Sequence, residues 1–242
     1  MSGAAEEPFL SLVIPAYNEE QRIGKTLKKV LAYFSRQGYG YEVIVVDDGS
    51  RDRTRRIVAE MAGNFSTLKL LHQEHNRGKG FAVKKGVLGA RGQHIAFSDA
   101  DLSTPIEEME KLLHWIRQGY DVAIGSRDLK ESDVRVRQPW YRETMGRIFN
   151  RFVKLVALSD FEDTQCGFKC LKGPVAKRIF FRMLLDRFCF DVEMLWIAKK
   201  DGCRIKEVPV IWSNERHSHV HPIIDASRML ADLVRLRWND RQ

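Results

Sequence analysis

The chain has 242 residues, and 44% of them are hydrophobic, which is enough apolar material for one substantial core. Its formal charge of +8 at pH 7 indicates an anionic partner: a nucleic acid, a phosphorylated substrate or an acidic membrane surface. The four cysteines form no C-x-x-C pair, so the sequence indicates neither a zinc ribbon nor a disulfide framework, and we expect free thiols in a cytoplasmic protein. No window approaches the roughly 18 apolar residues of a membrane span, which predicts a soluble or peripheral chain.

In the first half of the chain, apolar runs alternate with helical patterns. The runs at 10–14, 41–46, 68–71 and 94–97 predict strands, and amphipathic segments between them predict helices. This alternation predicts a mostly parallel central sheet, joined by right-handed crossovers, with helices on both faces. Ligands of such sheets bind beyond the carboxyl ends of the strands. The polar loops that follow these strands should therefore converge on one edge.

The fourth run ends in two carboxylates, Asp99 and Asp101. On an extended backbone, residues i and i+2 point to the same side, so both could ligate one hard cation, Mg²⁺ or Mn²⁺. The alternative is that they only form a turn. Downstream, we expect Thr104 to cap a helix with Pro105 at its first position, and Glu107 to complete a capping box.

The segment 76–80, Asn-Arg-Gly-Lys-Gly, opens the third helix and suggests a diphosphate contact. Glycines at a helix start expose backbone N–H groups, and Lys79 adds a positive charge. Val83 stands where G-x-G-x-x-G requires glycine, and no G-K-[ST] occurs, so the dinucleotide fingerprint and the P-loop are both excluded. The alternative to a diphosphate contact is that the glycines only help the chain to begin the helix.

The second half is more basic. After a predicted fifth strand at 120–125, the polar stretch 128–138 shows no apolar periodicity and predicts a mobile loop. The segments 139–158 and 223–238 are basic and amphipathic, so each could pack on the core or lie on an anionic membrane surface. Pro209 favours an edge position for the predicted strand around it.

Two further groups could carry chemistry. Asp191 and Glu193 fall in the first turn of a predicted helix, where they could simply complement its dipole or belong to a site. His217, His219 and His221 alternate, so they could bind a transition metal, although their surroundings are typical of a loop.

Four motifs in order resemble the family 2 glycosyltransferases of the A-type, Rossmann-like fold. They are VIPAYNE at 13–19, VVDDGS at 45–50, NRGKG at 76–80 and DAD at 99–101. Downstream, GSR at 125–127, DTQCGFK at 163–169 and FDVE at 190–193 resemble the polyprenyl-phosphate hexosyltransferases, and among them the dolichyl-phosphate β-glucosyltransferases. The resemblance spans about 10–238, and no linker interrupts it, so we expect a single domain over 1–242.

The resemblance implies inverting transfer of a hexose, in the first place glucose from UDP-glucose, to a polyprenyl or dolichyl phosphate. It implies a nucleotide-sugar half at about 10–126 and an acceptor half at about 127–242. An enzyme of this kind would work as a peripheral protein on the cytoplasmic face of a membrane.

The same resemblance assigns roles to individual residues. The nucleoside would be held by Pro15, Tyr17, Glu19 and Asp48, and the metal and diphosphate by Asp99 and Asp101. We extend the donor site to Ala16, Asp47, Lys79, Ala100 and His219, the last standing where the relatives have lysine. For the acceptor we predict Arg127, Arg135, Arg137, Gln165 and Lys169, and as catalytic residues Asp99, Asp101, Arg127 and Asp191.

Two other functions compete with this one. The first is a family 2 glycosyltransferase that acts on a soluble hydroxyl acceptor. A lipid phosphate is already an anionic nucleophile, whereas a soluble sugar hydroxyl would need a general base, either Asp191 or Asp163. The other alternative, a nucleic-acid-binding module, is disfavoured because the basic residues are dispersed over helices with apolar stripes and no nucleic-acid motif occurs. The sugar, the nucleotide, the lipid length and the oligomeric state stay open.

Overall fold

The computed structural model describes residues 7–137, 139–156 and 158–214, together with 229, 231–233, 235 and 236. These ranges contain the following strands and helices, in chain order: β1 (Leu10–Ala16), α1 (Ile23–Phe34), β2 (Tyr41–Asp47), α2 (Thr54–Asn64), β3 (Leu68–His72), α3 (Lys79–Gly89), β4 (His94–Phe97), α4 (Met109–Arg117), β5 (Val122–Ser126), β6 (Asp133–Val136), α5 (Trp140–Val156), β7 (Lys169–Lys172), α6 (Gly173–Arg182), α7 (Phe190–Lys200), β8 (Ile205–Pro209) and β9 (Ile211–Ser213).

Seven strands form the central sheet in the order β3-β2-β1-β4-β7-β5-β8. All neighbours run parallel except β7, which is antiparallel to both β4 and β5. The predicted mostly parallel sheet is confirmed, and its one reversed strand was not predicted. Because β7 runs backwards, its first residue, Lys169, lies opposite Phe97 at the carboxyl end of β4 and opposite Ile124 in β5.

Helices cover both faces of the sheet, as predicted. On one face α3, α5, α6 and α7 pack on strand residues such as Val13 and Val46. On the other, α1, α2 and α4 pack on the alternate residues, among them Leu12 and Val45. Since both faces are buried, the strands read as continuous apolar runs, and each large side chain taken from water contributes about 1.5–3 kcal/mol.

Two predictions about the second half need correction. The stretch expected to be a loop contains β6, which pairs in parallel with β9, because Val134 and Val136 alternate with charged residues in a short strand pattern. The strand expected over 205–212 is divided into β8 and β9, which lie in different sheets. Pro209 ends β8, and β8 is the edge of the central sheet, as predicted.

The predicted capping box does not form. A 3₁₀ turn, Ile106–Glu108, precedes α4, and no side chain caps it. Thr104 is buried with its hydroxyl oxygen 3.9 Å from Cys166 Sγ, and Glu107 is exposed beside Lys29. Tertiary packing of Thr104 therefore outcompetes the local capping contact.

The first basic amphipathic segment forms α5, with Phe149 and Val153 buried on the core. Most of the second segment lies outside the described residues; of those described, Met229, Leu233 and Leu236 pack on the core. Among the described helices, none is both long and apolar enough to cross a membrane.

Glu42 on β2 is a buried carboxylate that ties three elements together. It accepts hydrogen bonds from Ser11 Oγ at 2.7 Å, Lys69 Nζ at 2.6 Å and the Arg91 backbone N–H at 2.7 Å. Burial acts to raise the pKa of Glu42, but these donors outweigh it and lower the pKa below its usual range.

We therefore predict that Glu42→Gln lowers the free energy of unfolding by about 1–3 kcal/mol at pH 7. A depressed carboxyl pKa stabilises the fold above the unfolded-state value and loses that contribution as pH falls. The difference between wild type and variant in urea denaturation should thus shrink as pH drops below 4.5, the ordinary glutamate value. Glu60→Gln, at an exposed site on α2, should change little at any pH. A difference that grows in acid would contradict the prediction.

Candidate active site

The loops after β1 and β2 are joined by hydrogen bonds from backbone N–H groups to side-chain oxygens. The Asn18 N–H donates to Ser50 Oγ at 2.9 Å, and the Arg51 N–H donates back to Asn18 Oδ1 at 2.8 Å. The Glu19 N–H donates to Thr54 Oγ1 at 2.7 Å, and Thr54 is the first residue of α2. The predicted nucleoside-binding loops therefore form one connected wall at the carboxyl edge of the sheet.

Asp48 fastens the next loop to this wall. Its carboxylate accepts hydrogen bonds from Gln73 Nε2 at 2.6 Å, Asn76 Nδ2 at 2.9 Å, the Arg77 N–H at 3.0 Å and the Gly78 N–H at 2.8 Å. Burial raises the pKa of Asp48, although these bonds oppose the shift. In this structure the Asp48 side chain stabilises the conformation of the loop. Its contact with a nucleoside stays a prediction.

The glycine-rich start of α3 packs tightly on the start of α7. A Cβ atom added to Gly80 would lie 2.6 Å from Phe190 Cβ, so only glycine permits this approach. The Phe81 N–H donates to the Asp186 carbonyl oxygen at 2.9 Å, so at least one amide of the first turn is already engaged. This geometry supports a helix start that needs glycine for packing, and it brings Lys79 to the end of β4.

Four charged side chains of alternating sign meet at this point. Lys79 Nζ lies 2.5 Å from Asp99 Oδ1, and Lys169 Nζ lies 2.5 Å from Asp191 Oδ1. Burial acts to lower the pKa of Lys79, but the carboxylates of Asp99 and Asp191 outweigh it and raise the pKa to about 12. Lys79 therefore remains a cation between two carboxylates.

The pair of Lys169 and Asp191 is almost completely buried. Lys169 also donates to the Cys166 carbonyl oxygen at 2.6 Å. Burial raises the pKa of Asp191, although the ammonium groups of Lys169 and Lys79 oppose the shift. The other first-turn carboxylate, Glu193, turns away and accepts the backbone N–H groups of residues 184 and 185, so helix-dipole complementation alone does not describe either residue.

Asp99 and Asp101 have the chemistry of a divalent metal corner. Asp101 accepts the Ser103 N–H at 2.9 Å, and its pKa is raised by burial and by the negative charge of Asp99. A cation shared by the two carboxylates would relieve that repulsion, and their hard oxygens suit Mg²⁺ and Mn²⁺ equally. No cluster of three or more His, Cys, Asp or Glu side chains in the described part of the chain could hold a metal. Remaining ligands would have to come from substrate and water.

Gly167, which lies just before the reversed strand β7, packs against the carboxylate of Asp99. An added Cβ atom would overlap the carboxylate of Asp99, so a larger residue would push Asp99 out of its position. The sequence placed Gly167 in the motif DTQCGFK at 163–169 but carried no signal for this contact.

Arg127 is held by Asp163 in a two-pronged ion pair. Arg127 Nε lies 2.6 Å from Asp163 Oδ2, Nη2 lies 2.8 Å from Oδ1, and the guanidinium carbon lies 5.5 Å from the centre of the Trp212 ring. Burial acts to raise the pKa of Asp163, but Arg127 outweighs it and lowers the pKa. The lowered pKa makes Asp163 a weak general base, whereas burial raises the pKa of Asp191, the other predicted candidate.

The remaining predicted residues are more dispersed. Arg135 lies in β6 and Arg137 directly after it, both exposed, with Asp133 and Glu143 as their respective ion-pair partners. The Gln165 backbone N–H donates to Asp163 Oδ1 at 3.0 Å. The half-buried Pro15 and Tyr17, the buried Ala16, Asp47 and Ala100, and the ion-paired Glu19 line the carboxyl edge.

Two predicted contacts stay predictions. Lys169 is fully buried, so it would have to leave Asp191 before it could touch an acceptor. His219, like His217 and His221, lies outside the described residues. Sequence reasoning missed the pairing of Lys169 with Asp191 and the cation–π contact of Arg127 with Trp212, because neither leaves a local pattern.

The fold is similar to those of solved glycosyltransferases. Mannosyl-3-phosphoglycerate synthase from Rubrobacter xylanophilus matches with a TM-score of 0.71 and 18% identity, over 97% of this chain and 76% of that one. Glucosyl-3-phosphoglycerate synthase from Mycobacterium tuberculosis, solved with Mn²⁺, uridine-diphosphate-glucose and phosphoglyceric acid, matches with a TM-score of 0.72 and 17% identity, over 95% of this chain and 80% of that one. These likenesses confirm the predicted glycosyltransferase A-type fold.

Relatives at higher identity cover most of the sequence. The dolichyl-phosphate beta-glucosyltransferase of Dictyostelium discoideum is 34% identical over 95% of this chain and 74% of its own length. The human enzyme of the same name is 33% identical over 95% of this chain and 75% of its own length. The model of the family named Glycosyl transferase family 2 matches residues 11–179. The chain therefore belongs to glycosyl transferase family 2.

Proposed function

We propose that the protein is an inverting hexosyltransferase that moves glucose from UDP-glucose to dolichyl phosphate or another polyprenyl phosphate. The observation that carries this proposal is the corner of Asp99 and Asp101 at the end of β4, faced by Lys79 and by the buried pair of Asp191 and Lys169. The names of the relatives support glucose as the sugar and a dolichyl phosphate as the acceptor.

On the donor side, Asp99 and Asp101 would hold the Mg²⁺ or Mn²⁺ ion. When bound, a divalent ion stabilises the negative charge that builds on a departing diphosphate by several kcal/mol. Lys79, which contacts Asp99, would share that charge, and the joined loops after β1 and β2 would hold the nucleoside. Residues of about 10–126 would thus form the donor half.

On the acceptor side, a lipid phosphate is already an anionic nucleophile and needs position more than a base. Residues of about 127–242 would form this half, with Arg135 and Arg137 as exposed cations for the phosphate. Arg127 would act mainly by ordering the segment that begins at Asp163, since the Arg127 guanidinium is already paired with the Asp163 carboxylate. Asp191 would orient Lys79 and keep water from the buried end of the site.

A soluble hydroxyl acceptor is the second candidate. A hydroxyl needs a general base, and the raised pKa of Asp191 supports that role. The Mycobacterium tuberculosis structure, with its phosphoglyceric acid, also supports it by analogy of fold. Radiolabelled UDP-glucose offered with dolichyl phosphate or with phosphoglyceric acid separates the two candidates by which acceptor takes up label.

An apolar face of α5 supports attachment to a membrane surface. Trp140, Ile148, Phe152 and Leu155 are exposed, Leu155 to 83%, and basic residues such as Arg147 lie between them. An amphipathic helix with this composition can lie in the interface of an anionic bilayer. We propose peripheral attachment at the cytoplasmic face, which would bring the active site to the lipid acceptor.

The first prediction concerns the metal corner. Asp99→Asn and Asp101→Asn should each reduce Mn²⁺-stimulated transfer by at least about 100-fold, because each removes a charged ligand. Thermal midpoints should stay close to that of wild type, since both residues are partly exposed. Asp160→Asn, at an exposed ion pair with Lys199, is the matched control and should keep full activity. Activity in EDTA equal to that with Mn²⁺ would contradict the prediction.

The second prediction concerns the acceptor phosphate. The double variant Arg135→Gln with Arg137→Gln should raise the KM for the polyprenyl phosphate about fivefold or more, because two phosphate-binding cations are lost. UDP affinity measured by calorimetry should not change. Arg56→Gln, an exposed arginine of α2, should change neither quantity. If UDP affinity falls in parallel with acceptor binding, the two arginines serve the donor instead.

The third prediction concerns the membrane. Phe152→Gln with Leu155→Gln should weaken co-sedimentation with anionic phospholipid vesicles at low salt by more than about tenfold, because two large apolar groups no longer leave water. Added salt should release wild type, because the cationic contribution is screened. The control is Phe65→Gln with Leu88→Gln, two exposed apolar residues away from α5, which should bind as wild type does. Wild-type protein that stays in the low-salt supernatant would refute membrane attachment.

A further inference from the structure

The ion pair of Lys79 and Asp99 stands in the corner that the proposed function assigns to a divalent cation. Lys79 Nζ is 2.5 Å from Asp99 Oδ1, a separation at which the ammonium shields that oxygen from another cation. We propose that Lys79 is a resident counter-ion of the metal corner, which must leave Asp99 before a divalent ion can bind there. This inference rests on the proposed function and adds to it a reason for the metal to enter together with the donor.

The backbone keeps Lys79 close to the corner. Lys79 is the first residue of α3, and the contact of Gly80 with Phe190 fixes that end of the helix. The ammonium also lies 5.8 Å from the centre of the Phe190 ring, over its face. Negative charge from Asp99, Asp191 and Asp101 holds it there. The cation can therefore change partners within the site but cannot move far from it.

Asp191 and the donor offer alternative partners for the displaced ammonium. Lys169 takes Oδ1 of Asp191, and no hydrogen bond to Oδ2 is seen from the residues that the structure describes. A bound diphosphate would supply more anionic oxygens to Lys79 and, at the same time, ligands to the metal. The ion pair of Lys79 and Asp99 thus opposes metal binding while the donor is absent, and the donor favours metal binding when it is present. The metal and the donor are therefore linked by a coupling free energy between two ligands of one site.

The test is calorimetric titration of Mn²⁺ into the full chain and into Lys79→Met, first alone and then with saturating UDP. Methionine keeps most of the length of lysine but carries no charge. We expect Lys79→Met to bind Mn²⁺ alone about fivefold or more tightly, since no ammonium has to leave Asp99. With UDP the gain should disappear, because the variant also loses the contact of Lys79 with the diphosphate. The enhancement of Mn²⁺ affinity by UDP should therefore fall at least about fivefold.

Lys85→Met is the matched control, because it removes the same charge from the same helix. Its ammonium donates to the His72 carbonyl oxygen at 2.6 Å, so its loss should leave Mn²⁺ affinity unchanged. Equal tightening by both variants would overturn the inference in favour of a general charge effect. Lys79→Gln provides a second neutral variant in case methionine disturbs folding.

The outcomes separate this inference from the proposed function. If wild type binds Mn²⁺ in the presence of UDP but neither Lys79 variant binds Mn²⁺ alone more tightly, the counter-ion role is wrong and the metal corner stands. If wild type binds no Mn²⁺ even with UDP, the metal corner itself is wrong, and the counter-ion role is wrong with it.

Discussion

The charge pattern at the carboxyl edge of this sheet depends on the buried ion pair of Lys169 and Asp191. Lys169 begins the reversed strand β7, and Asp191 lies in the first turn of α7, so the pair joins the two elements at the end of β4. Removing water from two charges costs several kcal/mol per ion, and breaking such a pair leaves one charge buried without compensation. The surrounding packing must therefore keep the two together. An apolar pair could hold the same elements, so what the ions add is a fixed charge pattern.

That pattern gives the site its chemical character. From Asp99 through Lys79 and Asp191 to Lys169 the charges alternate, and although burial opposes the shift, the carboxylates of Asp99 and Asp191 raise the pKa of Lys79 between them. Charges that are in place once the donor has bound need no rearrangement during the reaction, which is the principle behind electrostatic stabilisation in enzymes. The pair of Arg127 and Asp163 differs, because its two partners satisfy each other and order the polypeptide around them.

Glycines let the backbone come close enough for this arrangement. Gly80 allows α3 to touch the start of α7, and Gly167 leaves room for the carboxylate of Asp99. Both glycines lie in motifs that also contain polar residues. In this structure the glycines allow the close approach of neighbouring elements, and that approach brings the polar side chains into contact.

The sequence by itself determined what local pattern can specify. Apolar runs and helical periodicity indicated the parallel strands, Pro209 indicated the edge, and the ordered motifs indicated the family and the corner of Asp99 and Asp101. Only the tertiary structure decided the direction of β7, the strand formed by β6 and the partners of the charged residues. Lys169 and Asp191 are 22 residues apart, and Arg127 and Asp163 are 36 apart. Such pairings depend on strand order and on which helices cross, and no periodicity of neighbouring residues encodes either.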